Sequence, residues 1–308
     1  MAVQNINGSE DKFRTYRLGR FSVDVPVSIN QVSTDYVVYY TNFEEFKWKD
    51  HNHIKERNAL WTKLLSDIKT IRLPIGIKKI IIDEIDLTNE KYWAKGVFYY
   101  GNSDDEDAGH WDVLLDSGTI GVWIKVVGTV DKKDNMEKLL EKVIQAYHAP
   151  TESEKMVSVN NKNRFYFKYG AVDLPFKYRE EIYTRFEGHP LDKFLKLEIE
   201  YEVVDIVEES NLIQRFSASL LADFAPGVEI DEIRSETRIV AGLEGDEVVF
   251  RGTASGDSNL NFAWRFSGEK DSETAPKILI SMETKDGDLN AKLKLWDSVL
   301  DSFKPLGH

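Results

Sequence analysis

The clearest hydrophobic pattern lies between Ser235 and Gly252. Two runs rich in β-branched and aromatic residues, Arg238-Ile239-Val240-Ala241 and Glu247-Val248-Val249-Phe250, flank Gly242-Leu243-Glu244-Gly245-Asp246. Glycine takes positive φ at little steric cost, so this pattern predicts a β-hairpin with those five residues as its connection. Earlier in the chain, Tyr16 to Pro26 alternates apolar and polar residues and stops at proline, which predicts one strand with an edge-type end. Tyr36 to Phe46 reads as a second strand. Ile54, Trp61, Leu64, Leu65 and Ile68 then recur at helical spacing and predict an amphipathic helix over 53–69. Strands follow at 79–87, 92–100 and 111–130, the last broken at Ser117-Gly118. Asp134 and Glu137 fit a capping box, opening a helix whose stripe is Met136, Leu139, Leu140, Val143, Ile144 and Tyr147.

The second half repeats this order. Gly170 to Pro175 echoes Phe21 to Pro26, each ending apolar-Asp-apolar-Pro. A strand is predicted at 195–205, a helix on Ile213, Phe216, Leu220 and Phe224, and strands at 228–234, 238–241, 247–252, 260–266 and 277–284. A closing helix carries Leu289, Leu293, Trp296, Leu300 and Phe303 on one face. The expected fold class is α+β, with two similar domains, each a mainly antiparallel sheet with two packed helices. The expected domains are 1–149 and 155–308, joined by a short polar linker at 150–154 that begins with Pro150.

Length and charge narrow the function. A chain of 308 residues is long enough for roughly two domains with separate cores. Cysteine is absent, which removes disulfides and thiolate chemistry. A net charge of −13 argues against nucleic acid, because binding phosphates calls for a basic face, and suits a basic protein partner. The first residues carry no basic-then-apolar signal, and Met1-Ala2 and Gly307-His308 read as altered ends. The expected compartment is therefore the periplasm if a signal or lipid anchor has been trimmed, and the cytoplasm otherwise; such an anchor would be the chain's one link to a membrane.

Candidate chemistry is sparse. Leu114-Leu115-Asp116-Ser117-Gly118-Thr119 matches the active-site loop of aspartic proteases, which needs a pair of aspartates sharing a proton. The chain offers no second copy, and the alternative is a plain turn. His51-Asn52-His53 supplies two imidazoles but no compact third ligand, so no metal site is expected. No cofactor motif occurs, and no catalytic residue is assigned. The acidic loop Asp104-Asp105-Glu106-Asp107 is a solvated turn or a dock for a basic partner.

Several segments resemble one family, the cognate immunity proteins of type VI secretion lipase effectors. The resemblance rests on Gly19-Arg20-Phe21-Ser22-Val23-Asp24-Val25-Pro26, on the run Arg238 to Glu247, on Phe262-Ala263-Trp264-Arg265-Phe266, and on Leu295 to Pro305. It implies a non-enzymatic, two-domain periplasmic binder that clamps a phospholipase effector and blocks its access to lipid. The alternative within the same system is a chaperone or activator of that effector. Partner-facing candidates are then Asp104, Asp105, Glu106, Asp107, Glu244, Asp246 and Glu247.

Overall fold

The structure, a computed structural model, describes residues 12–49, 53–101, 105–149, 161, 163–177, 179–208 and 228–307. The first part of the chain forms β1 (Phe13–Leu18), β2 (Phe21–Pro26), β3 (Asn30–Val38), β4 (Thr41–Lys47), α1 (His53–Ile68), β5 (Ile81–Asp86), β6 (Trp93–Tyr100), β7 (Ala108–Asp116) and β8 (Ile120–Thr129). Then come α2 (Lys133–Ala146), β9 (Tyr147–His148), β10 (Arg164–Tyr166), β11 (Ala171–Asp173), β12 (Glu180–His189) and β13 (Asp192–Glu202). The chain continues with β14 (Val228–Val240), β15 (Leu243–Ala254), β16 (Asp257–Phe266), β17 (Lys277–Lys285), α3 (Leu289–Ser302) and β18 (Lys304–Pro305). The described residues thus form mainly antiparallel sheet with three α-helices.

Two compact units contain these elements. The central unit holds Leu18–Arg20, Thr34–Ile182 and Leu306–His308; the other, here the outer-segment unit, holds Met1–Arg17, Phe21–Ser33 and Tyr183–Pro305. In the central unit the strand order is β3-β4-β8-β7-β6-β5, with the small sheet β10-β11-β9 beside it in sequence. Its helix α2 packs on β7 and β8, where Trp111, Val113, Val122 and Ile124 are buried together with Leu140, Val143 and Ile144 of the helix. The other helix, α1, lays Trp61, Leu64 and Leu65 against Ile80, Ile81, Val97 and Tyr99.

In the outer-segment unit the order is β12-β13-β17-β16-β15-β14, and the small sheet is β1-β2-β18. Residues from opposite ends of the sequence meet in that small sheet: Lys304 pairs with Ser22 and Pro305 with Phe21, while the Phe21 and Phe303 rings stack at 5.1 Å. On α3 the buried face is Lys292, Leu295, Trp296, Val299 and Leu300; of the expected stripe Trp296, Leu300 and Phe303 are buried, while Leu289 and Leu293 are half-buried. A cut between 149 and 155 therefore leaves the outer-segment unit without β2 and the central unit without β10 and β11.

Several local expectations are corrected by the backbone. The strand read over Tyr16–Pro26 is two strands, divided at Gly19, whose φ is +59° and whose backbone pairs with Tyr166. A Cβ on Gly19 would sit 2.7 Å from Ile182 Cδ1 and 2.9 Å from the Phe165 ring. Tyr36–Phe46 is a hairpin, because Tyr39 and Tyr40 take positive φ (54° and 59°) and turn the chain. No turn signal marks a Tyr-Tyr pair; burial of Tyr39, with its hydroxyl donating to the Pro175 carbonyl, holds it there. The hairpin at 235–252 turns on two residues, Ala241 and Gly242, with Val240 opposite Leu243. Gly245 lies inside β15, where a Cβ would come within 2.6 Å of the Arg265 carbonyl, so close approach rather than a turn requires glycine.

The capping box also fails. Helix α2 starts two residues before the point that a cap at Asp134 would set, after a 3₁₀ turn at Val130–Lys132, and its N-cap Lys132 makes no side-chain cap. Lys133 instead holds Asp83, Asp134 and Glu137. Strand β12 was not expected at all, since its inward positions include Glu180 and Thr184 beside Ile182 and Phe186. Glu180 is fully buried and grips Arg20 with both oxygens, at 2.9 and 2.7 Å. The helix expected on Ile213 to Phe224 and the linker at 150–154 lie outside the described residues.

Two outcomes test this framework. Fragments 1–149 and 155–308, made separately, are expected to give poorly dispersed NMR spectra and to recover native dispersion when coexpressed; independent folding of either fragment would contradict the strand exchange. Gly19→Val, which forces a β-branched side chain into a positive-φ site and onto Phe165, is expected to lower stability by about 2–4 kcal/mol, read from chemical denaturation.

Candidate partner-binding surface

The β14–β15 hairpin is long, with twelve paired positions from Val228↔Ala254 to Val240↔Leu243 and a bulge between Glu232 and Arg234. It is fastened to α3 by an ion cluster. Glu247, whose side chain is fully buried, accepts from Arg234 Nη1 at 2.8 Å, Arg238 Nη1 at 3.2 Å and Trp296 Nε1 at 2.7 Å. The same two arginines donate to Asp297 at 2.8 and 2.6 Å, and Arg238 reaches Asp301 at 2.7 Å. Burial alone would raise the Asp297 carboxyl, but hydrogen bonds from Arg234 and Arg238 outweigh it and hold the group below its ordinary value. Glu247 therefore belongs to the interior and leaves the partner-facing set.

The outer end of the hairpin presents different chemistry. Ile239 is 68% exposed and stands directly opposite exposed Glu244; Asp246 is half-buried opposite Thr237. An exposed isoleucine beside carboxylates is a combination that sequence reading does not separate from an ordinary core position, because Ile239 lies in an alternating strand. In the central unit, Asp105, Glu106 and Asp107 are all exposed in the turn before β7, where Asp105 caps the Asp107 amide at 2.9 Å; Asp104 lies outside the described residues.

On the outer-segment unit, a shallow cavity of about 260 Å³ is lined by Lys193, Phe194, Lys196, Glu283 and Lys285 among others. Phe194 there is 60% exposed, with Lys193 Nζ 4.8 Å from its ring centroid. Phe194 did not stand out in the sequence, where it falls just before the strand expected at 195–205.

The protease-like aspartate has a structural role. Asp116 Oδ1 accepts from Trp48 Nε1 at 3.1 Å and the Gly118 amide at 2.9 Å, while Oδ2 faces Arg57 Nη1 at 3.1 Å and His53 Nε2 at 3.0 Å. Both oxygens are occupied by donors of the chain itself, and no second carboxylate is among them in the described residues. The arrangement ties the β7–β8 turn to α1 rather than forming a proton-sharing pair. Arg57 continues it by lying over the Trp93 ring at 4.3 Å. His53 is thereby committed to Asp116, and no group of three metal-capable side chains occurs among the described residues. No described helix is long and apolar enough to cross a membrane.

Comparison with known proteins gives a consistent set of likenesses. Residues 165–305 match the family model described as the Tle cognate immunity protein 4 C-terminal domain. The fold is shared with the apo structure of immunity protein TplEi of the T6SS from Pseudomonas aeruginosa, at a TM-score of 0.77 and 19% identity, covering 96% of this chain and 97% of that one. A chain in the crystal structure of the Tle4-Tli4 complex shares the fold to the same degree, at a TM-score of 0.77 and 18% identity over 96% and 98% of the two chains. TplEi in complex with an "L" peptide matches at 0.72 and 18% identity, over 96% and 99%. Comparison with curated protein sequences gave no match.

The ion cluster yields a direct prediction. Glu247→Ala leaves two arginines and the Trp296 N–H without their shared acceptor, and is expected to cost roughly 3–5 kcal/mol in chemical denaturation. Glu247→Gln, which keeps the shape and one acceptor, is expected to cost less.

Proposed function

We propose, from the match of residues 165–305 to the Tle immunity family, that this chain is an immunity protein that binds and inhibits a cognate type VI secretion lipase effector. The observation that carries the reading is that match, joined to a fold shared along 96% of the chain with the Tle4-Tli4 complex structure. Inhibition of this kind requires binding, not turnover. It agrees with a chain whose one protease-like aspartate is saturated by internal donors.

The binding engages both units, the clamp that the family resemblance implies, and covers the effector's route to lipid. In the central unit the contact set is the acidic turn with Asp105, Glu106 and Asp107, together with Asp104; in the outer-segment unit it is Ile239, Glu244 and Asp246 at the hairpin end. A net charge of −13 favours encounter with a basic partner face. The compartment that this reading implies is the periplasm.

The two units are similar domains that arose by duplication. Their strand orders correspond element by element: β3-β4-β8-β7-β6-β5 in one follows the same path as β12-β13-β17-β16-β15-β14 in the other. Each repeat ends in a helix and a two-residue strand, α2 with β9 and α3 with β18, and each of those strands pairs with the start of the strand that leads into an apolar-Asp-apolar-Pro run.

Coexpression with the neighbouring lipase effector is expected to give a complex that co-elutes and lacks lipase activity; no binding would overturn the reading. Effector made alone should be fully active, which excludes a chaperone or activator. Replacing Asp105, Glu106, Asp107 and Glu244 by lysine is expected to slow association about tenfold at low salt and less at high salt, measured by surface plasmon resonance.

A further inference from the structure

One ionisable group of the central unit lies outside the partner-facing set and is placed on a seam between elements. Glu45 projects from β4 on the same side as Phe43, whose ring stacks on Phe167 at 4.5 Å. Its Oε1 accepts from the Tyr147 hydroxyl of β9 at 2.7 Å, and its Oε2 from the Tyr169 amide at 2.6 Å. Tyr169 and Gly170 form the turn between β10 and β11, closed by the Phe167 amide donating to the Gly170 carbonyl at 2.9 Å. A Cβ on Gly170 would lie 2.3 Å from the Tyr147 oxygen and 2.5 Å from Glu45 Oε1, so the turn backbone sits directly on the carboxyl.

The surrounding charges do not include a contacting cation. The groups that face Glu45 among the described residues are Tyr36 of β3, Tyr147 of β9, and Lys168 and Tyr169 of the turn. Lys47, next on β4, and Lys168 lie 5.1 and 5.5 Å from the Tyr169 ring centroid, on the turn rather than on the carboxyl. Glu45 is half-buried, and a carboxylate drawn out of bulk water onto neutral donors is a costly ion.

We infer that Glu45 is a proton-controlled latch on the β10–β11 turn: protonated, it keeps Phe167 to Gly170 seated on β4 and β9, and ionised, it favours an opened turn in which water reaches the carboxylate. Burial pushes the Glu45 carboxyl up to about 7, against the Tyr147, Tyr169 and Gly170 hydrogen bonds and Lys168, which pull it down. The sign follows from linkage. A carboxyl whose closed-state value is raised from 4.5 stabilises the closed turn fully below 4.5, and that stabilisation is lost as the pH rises through about 7. The turn is thus tightest in mild acid and loosens near neutrality.

Hydrogen exchange on the full chain tests this without any partner. Corrected for intrinsic rates, protection of the 165–172 amides is expected to fall about tenfold or more between about pH 5.5 and about pH 7.5, while β7 amides hold theirs. In Glu45→Gln, whose oxygen still accepts from the Tyr169 amide while its NH2 donates to the Tyr147 hydroxyl, the fall should vanish. Equal falls in both proteins, or none in the unsubstituted one, would overturn the latch. If Glu45→Gln does not fold, the carboxyl carbon of Glu45 followed by NMR in the unsubstituted chain decides instead. A midpoint near neutrality supports the latch, and one in the ordinary carboxylate range refutes it.

Discussion

The structure depends on pairing across nearly the whole length of the chain. The Asp24 amide donates to Ser302 Oγ at 2.9 Å across 278 positions, Phe21 and Phe303 stack, and Ser22 and Phe21 pair with Lys304 and Pro305. These few contacts seat α3 in its unit, because the helix packs on β2. The hairpin that carries Glu244 and Ile239 is in turn fixed to α3 through Glu247, Trp296 and the two arginines. Position of the candidate surface therefore rests on a strand made early in the chain.

Each unit uses buried charge differently to hold its parts. In the central unit, Arg20 and Glu180 form a two-bond pair in which both side chains are almost fully buried, so each is compensated where water cannot reach. In the other unit, two arginines serve three carboxylates, and half-buried Asp297 with exposed Asp301 leaves the cluster partly hydrated. Such networks add little net stability against an apolar alternative, yet breaking one partner is costly. They fix which helix face meets which strand, and that geometry is what a rigid binding surface needs.

Much of this was legible in the pattern of side chains. Helix α1, strands β5 to β8 and the strands on either side of Ala241-Gly242 follow periodicity, since their inward positions are mostly apolar, Asp112, Asp116 and Glu247 excepted. What escaped did so for identifiable reasons. Strand β12 hides its inward face behind Glu180 and Thr184, and the Tyr39-Tyr40 turn uses residues that favour strands. Gly245 looks like a turn glycine but answers to Trp264 and the Arg265 carbonyl. Of the candidate surface, the acidic turn and Glu244 were visible as charge, whereas the burial of Glu247 was not, because it depends on Trp296 of a helix some 50 residues away as well as on Arg234 and Arg238 of the facing strand.

The meeting of β2 with β18 also sets a timetable. As the ribosome makes the chain, β2 emerges with its partner strand still some 280 residues from synthesis. Closing so distant a contact is slow, and until it closes Phe21, Val23 and Val25 have no finished sheet to cover them. A newly made molecule thus lacks its finished small sheet until β18 has been made and has reached β2.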